Sequence, residues 1–540
     1  MIGHAVVEFI GHIIFSFTRS VAEHSDFDEA ERDLELFGYN PLEDTGKEWY
    51  CRPVDELIYQ EYSDRDVTTL DYLPSSKIQA RLLNACSTEE TEETEDVGND
   101  RAMAWKQFRP SFVRTVCKSA YVGFLVSVLS AVIVGMISIL VYYLSFQTQL
   151  NCLVHPEKSI PNKLRWIRAV SEAIFAFFFY CWLFVNSLFY FRPFQISGLK
   201  LTLSLTALAF YIFDVCYRLL QALVFSHFNL TKLQVLPGNV LFFLCLCVQV
   251  CIITKHFCRG PRKKQLSLFL SLTIPFFLTY VTGILVAYFI YPAYNRQDNI
   301  VSKVLIAIFA PLITVFLKGV SRFCVQRLWR ISHPGHSFVP LGPLYHGSAV
   351  MLRFLQVDVE DVGAIAVIGG IHGIAEVIGR SAMVFIDHIY HQIWQRRLVR
   401  CGNFRTPRRE RLAADIVIMS ILYESSGVIS VNGFLHLYRY FYSSDNTVLQ
   451  LLQSFALTTS VALVIEWFFT SLSLAIETRY QNMPVMAVWR RRWKKHIVVA
   501  IINAVVMASW LSSSLILPAV VNNERSVGKP KDFCQMPFES

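Results

Sequence analysis

The chain has 540 residues, of which 53% are hydrophobic and 17% charged, and its formal net charge is +8. This charged fraction lies well below the roughly 25% of ordinary soluble domains, and the deficit is typical of a membrane protein. Residues 23 to 100 contain 23 acidic and six basic side chains. The positive charge therefore belongs to the rest of the chain, which is unlike the single basic face of a nucleic-acid-binding protein.

Residues 1–18 are apolar apart from His4, Glu8 and His12. These three recur every four residues and so share one helical face, which predicts an amphipathic helix lying in the plane of the membrane. The same spacing is open to a metal-binding interpretation, but a polar face explains it with fewer assumptions.

Residues 19–118 form an acidic region without sustained apolar periodicity. A low-complexity run within it, from Ser87 to Asp96, is rich in Glu and Thr and is expected to be disordered. We predict that this region is cytosolic and offers a surface to a protein partner.

From residue 119 onward, apolar stretches long enough to cross the roughly 30 Å hydrocarbon core follow one another. The predicted fold class is therefore all-α, a polytopic integral membrane bundle of 9 or 11 transmembrane helices. Residues 119–330 hold the first six and residues 412–522 the last three. The nine predicted spans are 120–144, 170–191, 199–225, 237–257, 265–291, 301–320, 412–438, 449–475 and 496–520.

Connecting segments that are rich in Lys and Arg alternate along the chain with segments that are poor in them. The basic segments are expected to stay in the cytosol. This rule predicts a cytosolic N-terminus and an external or lumenal tail at residues 523–540, in the plasma membrane or a secretory-pathway endomembrane. The sequon at Asn229 then falls on the external side, where glycosylation takes place. Cys152 and Cys534 also face that oxidising side, which makes a disulfide between them a hypothesis.

Residues 331–411 are rich in His and Gly and decide the number of spans. Two weaker candidate spans, 338–356 and 362–390, lie between two basic segments that should share the cytosolic side. The chain therefore crosses here twice or not at all, which gives eleven or nine spans. The spacing Gly369-x3-Gly373 is typical of closely packed membrane helices and favours eleven.

Three acidic residues lie at matched depth in predicted spans: Asp214, Glu424 and Glu466. Ionisable side chains within a membrane mark ion pathways, pairs or binding sites. One interpretation is a proton or cation site built from Glu424 and Glu466, with Asp214 as a third member. The other is that Asp214 pairs with Arg218 one turn on, and that each glutamate has a hydrogen-bonding partner on a neighbouring helix.

A second polar set follows one side of the candidate span 362–390, with residues about one helical turn apart. If this segment crosses the membrane, the set lines a polar pathway; if it lies on the cytosolic surface, it is a solvated face. Its members are His372, Glu376, Arg380, Asp387 and His391.

One pattern suits an enzyme. Asn432 and His436 lie one turn apart in a span, where His would act as a base and Asn as a donor to an acyl oxygen. His372 and Glu376 are further candidates for such a role. No nucleophile motif accompanies them in the sequence, and an inter-helix hydrogen bond explains the pair as well.

The segment that opens the last span, residues 489–495, combines aromatic and basic side chains. It predicts anchoring in the headgroup layer and binding of anionic lipid by Arg490, Arg491, Arg492, Lys494 and Lys495. The thirteen cysteines show no zinc-type spacing, and no motif predicts a metal or a cofactor.

The sequence thus favours a multi-pass transporter or channel with a membrane-buried carboxylate site for a proton or cation. The site residues would be Glu424, Glu466, Asp214, His372, Glu376, Arg380 and Asp387. Two alternatives remain. One is a membrane-embedded enzyme that modifies lipids by acyl transfer or hydrolysis, and the other is a receptor or scaffold with an acidic cytosolic tail.

Overall fold

A computed structural model gives the fold of this chain. It describes residues 112–149, 162–191, 195–196, 198–224, 236–258, 261–290, 300–328, 336–356, 362–395, 407–442, 447–479 and 485–523, with a few isolated positions. The predicted in-plane helix at 1–18, the acidic run, Asn229, Cys152, Cys534 and the C-terminal tail lie outside these residues.

The described residues form helices without a strand among them, which confirms the all-α bundle. In chain order the helices are α1 (Phe112–Phe124), α2 (Ala131–Gln149), α3 (Asn162–Tyr190), α4 (Lys200–Val224), α5 (Leu236–Phe257), α6 (Arg262–Leu285), α7 (Ile300–Arg327), α8 (Gly342–Gln356), α9 (Val362–Gln395), α10 (Pro407–Tyr442), α11 (Val448–Arg479) and α12 (Val485–Asn523). A π-helical segment, Leu125–Ser130, joins α1 to α2, and a second one, Val286–Ile290, extends α6.

Eight helical segments within the described residues are long and apolar enough to cross a membrane. Each overlaps one of the nine predicted spans, and the ninth, 301–320, lies within the 28-residue helix α7. The architecture is that of a multi-pass helical membrane protein. The choice between nine and eleven crossings stays a prediction.

The chain divides into two compact units. Unit 1 comprises residues up to Leu129, Gly369–Ile421 and Ile465–His496, and unit 2 comprises Ser130–Ile368, Leu422–Val464 and the residues from Ile497.

In unit 2, α2 packs closely against α10. A Cβ atom built at Gly135 would lie 2.6 Å from Cβ of Ile429, and Gly433 in turn faces Ile139. Both contacts advance by four residues in the same direction, so the two helices run parallel. Small residues at this interface let the backbones approach, as they do at many membrane helix contacts.

Helix α8, also in unit 2, has 15 residues and is therefore only about 22 Å long. Every residue from Ser337 to Phe354 is buried. At its start, Gly342 abuts Tyr423 of α10 and Asn503 of α12; further along, Ala349 lies against Gly427 of α10. The residue numbers of the contacting positions rise together on α8 and on α10, so the two helices run parallel.

In unit 1, the 34-residue helix α9 packs on α11. Gly369 faces Ile465, Gly373 lies against the ring of Phe469, and Val377 forms a buried cluster with Ile476. Residue numbers rise together along the contact, so α9 and α11 run parallel. Both glycines of the predicted spacing thus lie at the contact between the two helices.

Candidate functional site

One face of α11 carries four buried polar residues in unit 1. They are Glu466, Thr470, Ser473 and Glu477, and none of them is more than 3% exposed. Steps of four, three and four residues return to the same side of an α-helix. This membrane-length helix therefore presents a polar stripe toward protein, about 16 Å long from Glu466 to Glu477.

The matching polar residues of α9 are Glu376 and Arg380. The Arg380 guanidinium donates a hydrogen bond to the Glu376 carboxylate one turn earlier, and Ser420 of α10 lies 3.4 Å from the same carboxylate oxygen. Arg380 also interacts electrostatically with Glu466 and Glu477 of the α11 stripe. We name this set of residues, from Glu376 and Arg380 to the four of α11, the α9–α11 polar face.

Glu477 is the most deeply buried acid of this face, at 0% exposure. Its Oε1 accepts a hydrogen bond of 2.9 Å from the Ser473 hydroxyl. Within the part of the chain that the structure describes, its Oε2 and the Thr470 hydroxyl have no hydrogen-bond partner. Its charged neighbours are Arg380 and Glu376. Since Glu466 also interacts with Arg380, three carboxylates share one guanidinium that is already hydrogen-bonded to Glu376.

Glu424 lies in unit 2 in a different environment. The Lys318 ammonium is 3.8 Å from its carboxylate, and His346 is within electrostatic range. Lys318 also lies 4.7 Å from the centroid of the Tyr345 ring, whose hydroxyl accepts a 3.0 Å hydrogen bond from Arg322. Glu424 therefore belongs to a mixed-charge cluster around the start of α8.

Asp214, the third predicted acid, is almost fully buried in unit 2. It accepts a 2.7 Å hydrogen bond from Arg218, which also donates to Glu172 of α3 at 2.8 Å. The local pair considered from the sequence is thus present, and it is extended by a second acid from a neighbouring helix.

The Asn432–His436 pair lies in unit 2 near the end of α10. The Asn432 amide donates to the Thr459 hydroxyl at 3.1 Å. The two imidazole nitrogens of His436 lie 2.8 Å from the Asn432 carbonyl oxygen and 3.2 Å from the Ser454 hydroxyl oxygen. Both side chains therefore make hydrogen bonds that tie α10 to α11.

The remaining predicted residues are placed less completely. His372 is half-buried on α9, one turn before Glu376, whereas Asp387 and His391 lie in α9 with side chains outside the described set. In the basic segment of α12, Trp493 and Lys494 are exposed, and the Lys494 ammonium lies 5.7 Å from the centroid of that indole ring.

Sequence reasoning missed Glu477 and Lys318. Glu477 lies two residues before Arg479, at the predicted cytosolic boundary of its span. Its spacing of eleven residues from Glu466 was a usable signal, because that separation returns to the same helix face. The pairing of Lys318 with Glu424 joins residues about a hundred positions apart, and no local pattern indicates it.

Among the described residues, no group of three or more His, Cys, Asp or Glu side chains converges as metal ligands do. No family model matches the chain, and neither a curated protein nor a solved structure matches it.

Proposed function

We propose that this protein is a membrane transporter whose proton-binding site is the α9–α11 polar face. The observation that carries the proposal is the buried Glu477 carboxylate. It shares Arg380 with Glu376, and one of its oxygens has no donor among the described residues. Leaving an ionised carboxylate in such a place costs several kcal/mol. Binding and release of a proton is the simplest way to balance that charge.

The direction of the helices supports placing this face within the membrane. Helix α9 runs parallel to α11, a predicted span, and α8 runs parallel to α10, another one. If α8 crosses from the cytosolic to the external side and α9 crosses back, both basic segments that flank this pair of helices stay cytosolic. We therefore propose eleven crossings, with the buried backbone around α8 tolerated because protein rather than lipid surrounds it.

The arrangement favours a proton over a metal cation. The four polar groups of α11 are spread along about 16 Å of helix, whereas metal ligands converge on one point. Successive hydroxyl and carboxyl groups along a helix suit transfer from one group to the next. Glu466 at one end and Glu477 at the other give such a path two acceptors, and Arg380, which interacts electrostatically with both, supplies a fixed positive charge.

The test is proton flux into liposomes that contain the purified protein and a pH-sensitive dye. A potassium gradient with valinomycin sets a negative interior, and inward proton movement acidifies the lumen. We expect Glu477→Gln to reduce the flux about tenfold or more, because the amide cannot carry a proton. Glu172→Gln, which alters a carboxylate in a separate ion pair, is the matched control and should stay within about twofold of wild type.

Two results would overturn this proposal. One is a wild-type flux no faster than that of empty liposomes at any pH tested, and the other is an unchanged flux in Glu477→Gln. As a control for unfolding, both variants should melt in detergent at the same temperature as wild type.

We also propose that the basic segment 489–495 binds anionic headgroups, since its exposed Trp493 and Lys494 suit the interfacial layer. Native mass spectrometry should retain phosphatidylserine in preference to phosphatidylcholine, and Lys494→Gln should weaken that preference. Equal retention of the two lipids would contradict it.

A further inference from the structure

The hairpin formed by α10 and α11 places a serine beside a histidine with defined polarity. Nδ1 of His436 is 2.8 Å from the backbone carbonyl of Asn432. A carbonyl oxygen only accepts hydrogen bonds, so Nδ1 carries the proton of the neutral ring and Nε2 is left as an acceptor. The Ser454 hydroxyl, 3.2 Å from Nε2, therefore donates its proton to the imidazole.

This polarity is the one that activates a serine nucleophile. A hydroxyl that donates to a neutral imidazole can transfer its proton as it attacks, provided a third group orients the ring. Here the Asn432 carbonyl provides the orientation. The ring of Phe455 also lies edge-on to His436 at 5.7 Å between centroids and limits its rotation.

The depth of the pair in the helices is well defined. Thr447 and Gln450 form reciprocal bonds between backbone N–H and side chain, at 3.1 and 3.4 Å, which fix the start of α11. Ser454 comes six residues after that start and His436 six residues before the end of α10, so each lies about 9 Å inside its helix end. The interfacial layers are roughly 5 to 8 Å thick, which puts the pair at the boundary between headgroups and hydrocarbon.

The pair is reachable from the lipid side. Ser454 and His436 are both half-buried, and Leu457, which lies about one turn beyond Ser454 on the same side of α11, is 55% exposed. An acyl chain that lies along Leu457 would bring its ester carbonyl, which sits at the headgroup boundary, to the depth of the serine.

We infer that Ser454 and His436 form an acyl-transfer site for carboxylic esters of long-chain fatty acids in the bilayer. Ser454 Oγ attacks the ester carbonyl carbon while its proton moves to Nε2 of His436. The bond from that carbon to the leaving alkoxide breaks, and the alcohol takes the proton from the imidazolium. Water then adds to the acyl-serine by the same route, with His436 as base, and releases the carboxylic acid and free Ser454. This site shares no residue with the α9–α11 polar face.

The experiment uses the full-length protein in nanodiscs with a long-chain alkyl fluorophosphonate, which phosphonylates activated serines. Peptide mass spectrometry should find the adduct on Ser454 in wild type. We expect His436→Gln to slow labelling about a hundredfold, in line with loss of a general base. Ser471→Ala is the matched control, because Ser471 is a half-buried serine of the same helix whose hydroxyl bonds the Trp467 carbonyl instead; its labelling rate should equal that of wild type.

Turnover of a fluorogenic long-chain ester gives a second readout, which Ser454→Ala should abolish while Ser471→Ala leaves it unchanged. Because the acyl-transfer site and the α9–α11 polar face share no residue, failure of proton transport does not contradict the acyl-transfer site, and the converse also holds. Wild-type protein without an adduct on Ser454, or equal labelling in His436→Gln, overturns the inference. Because the first of these results needs no variant, a misfolded mutant cannot obscure it.

Discussion

Replacing Gly373 by Ala tests the packing of α9 on α11, on which the α9–α11 polar face depends. A Cβ atom at this position would lie 2.5 Å from Cγ and 2.9 Å from Cε2 of Phe469. Cγ is bonded directly to the Cβ of that phenylalanine, so the ring cannot swing clear without leaving its rotamer. Either the side chain or the helix must move.

The magnitude follows from a comparison within one helix. Overpacking a filled interface costs about 1 to 3 kcal/mol, whereas Gly→Ala in a helix interior gains about 0.5 to 1 kcal/mol. A methyl group added at Gly370 or Gly379 of α9 would meet no described atom within 4 Å. Gly370→Ala and Gly379→Ala should therefore show only the stabilisation that comes from replacing a helical glycine by alanine. The difference between Gly373→Ala and either control therefore isolates the packing cost, about 1 to 3 kcal/mol.

The assay is thermal unfolding in detergent, followed by intrinsic fluorescence. Gly373→Ala should melt several degrees below both controls, and Phe469→Leu in the Gly373→Ala background should recover part of the loss. If Gly373→Ala melts together with Gly370→Ala, the close approach of α9 and α11 described above is refuted.

Four further results are expected. If the chain crosses the membrane eleven times, an N-glycan acceptor inserted beside Asp358 should be glycosylated in microsomes; an unmodified acceptor would support nine crossings instead. Arg218→Met removes the ion-pair partner of the buried Asp214 and should cost about 3 kcal/mol, so a melting temperature equal to wild type would contradict the pairing. Asn503→Leu breaks two hydrogen bonds of 2.9 and 3.1 Å and should cost about 2 kcal/mol in the same assay. Thr447→Val removes the helix cap and should cost about 1 kcal/mol, with Thr458→Val, whose hydroxyl bonds its own helix, as the milder comparison.

Span positions were predictable because a membrane-length apolar run is a direct consequence of bilayer thickness. The same is true of short-range side-chain pairs. The spacing of Glu376 and Arg380 places them one turn apart, and the structure has them hydrogen-bonded. Asp214 and Arg218 follow the same rule.

Contacts between helices were not predictable, since periodicity reports which face of a helix is polar and not which helix covers it. Glu466 and Glu424 were predicted from the sequence to share one depth, yet the interactions identified for them involve Arg380 in the first case and Lys318 with His346 in the second. Ser454 is an ordinary serine in the sequence and gains its interest only from the imidazole across the hairpin.

Helix α8 also constrains how the protein is made. A segment of 15 residues that includes His346 and Arg353 is too short and too polar for the insertion machinery to release into lipid as a span. Its partners Gly427 and Asn503 are synthesised later than α8 itself. Helix α8 therefore lacks part of its final packing until α12 has been synthesised. We expect cellular quality control to recognise a nascent chain that stops before residue 503 as incompletely folded.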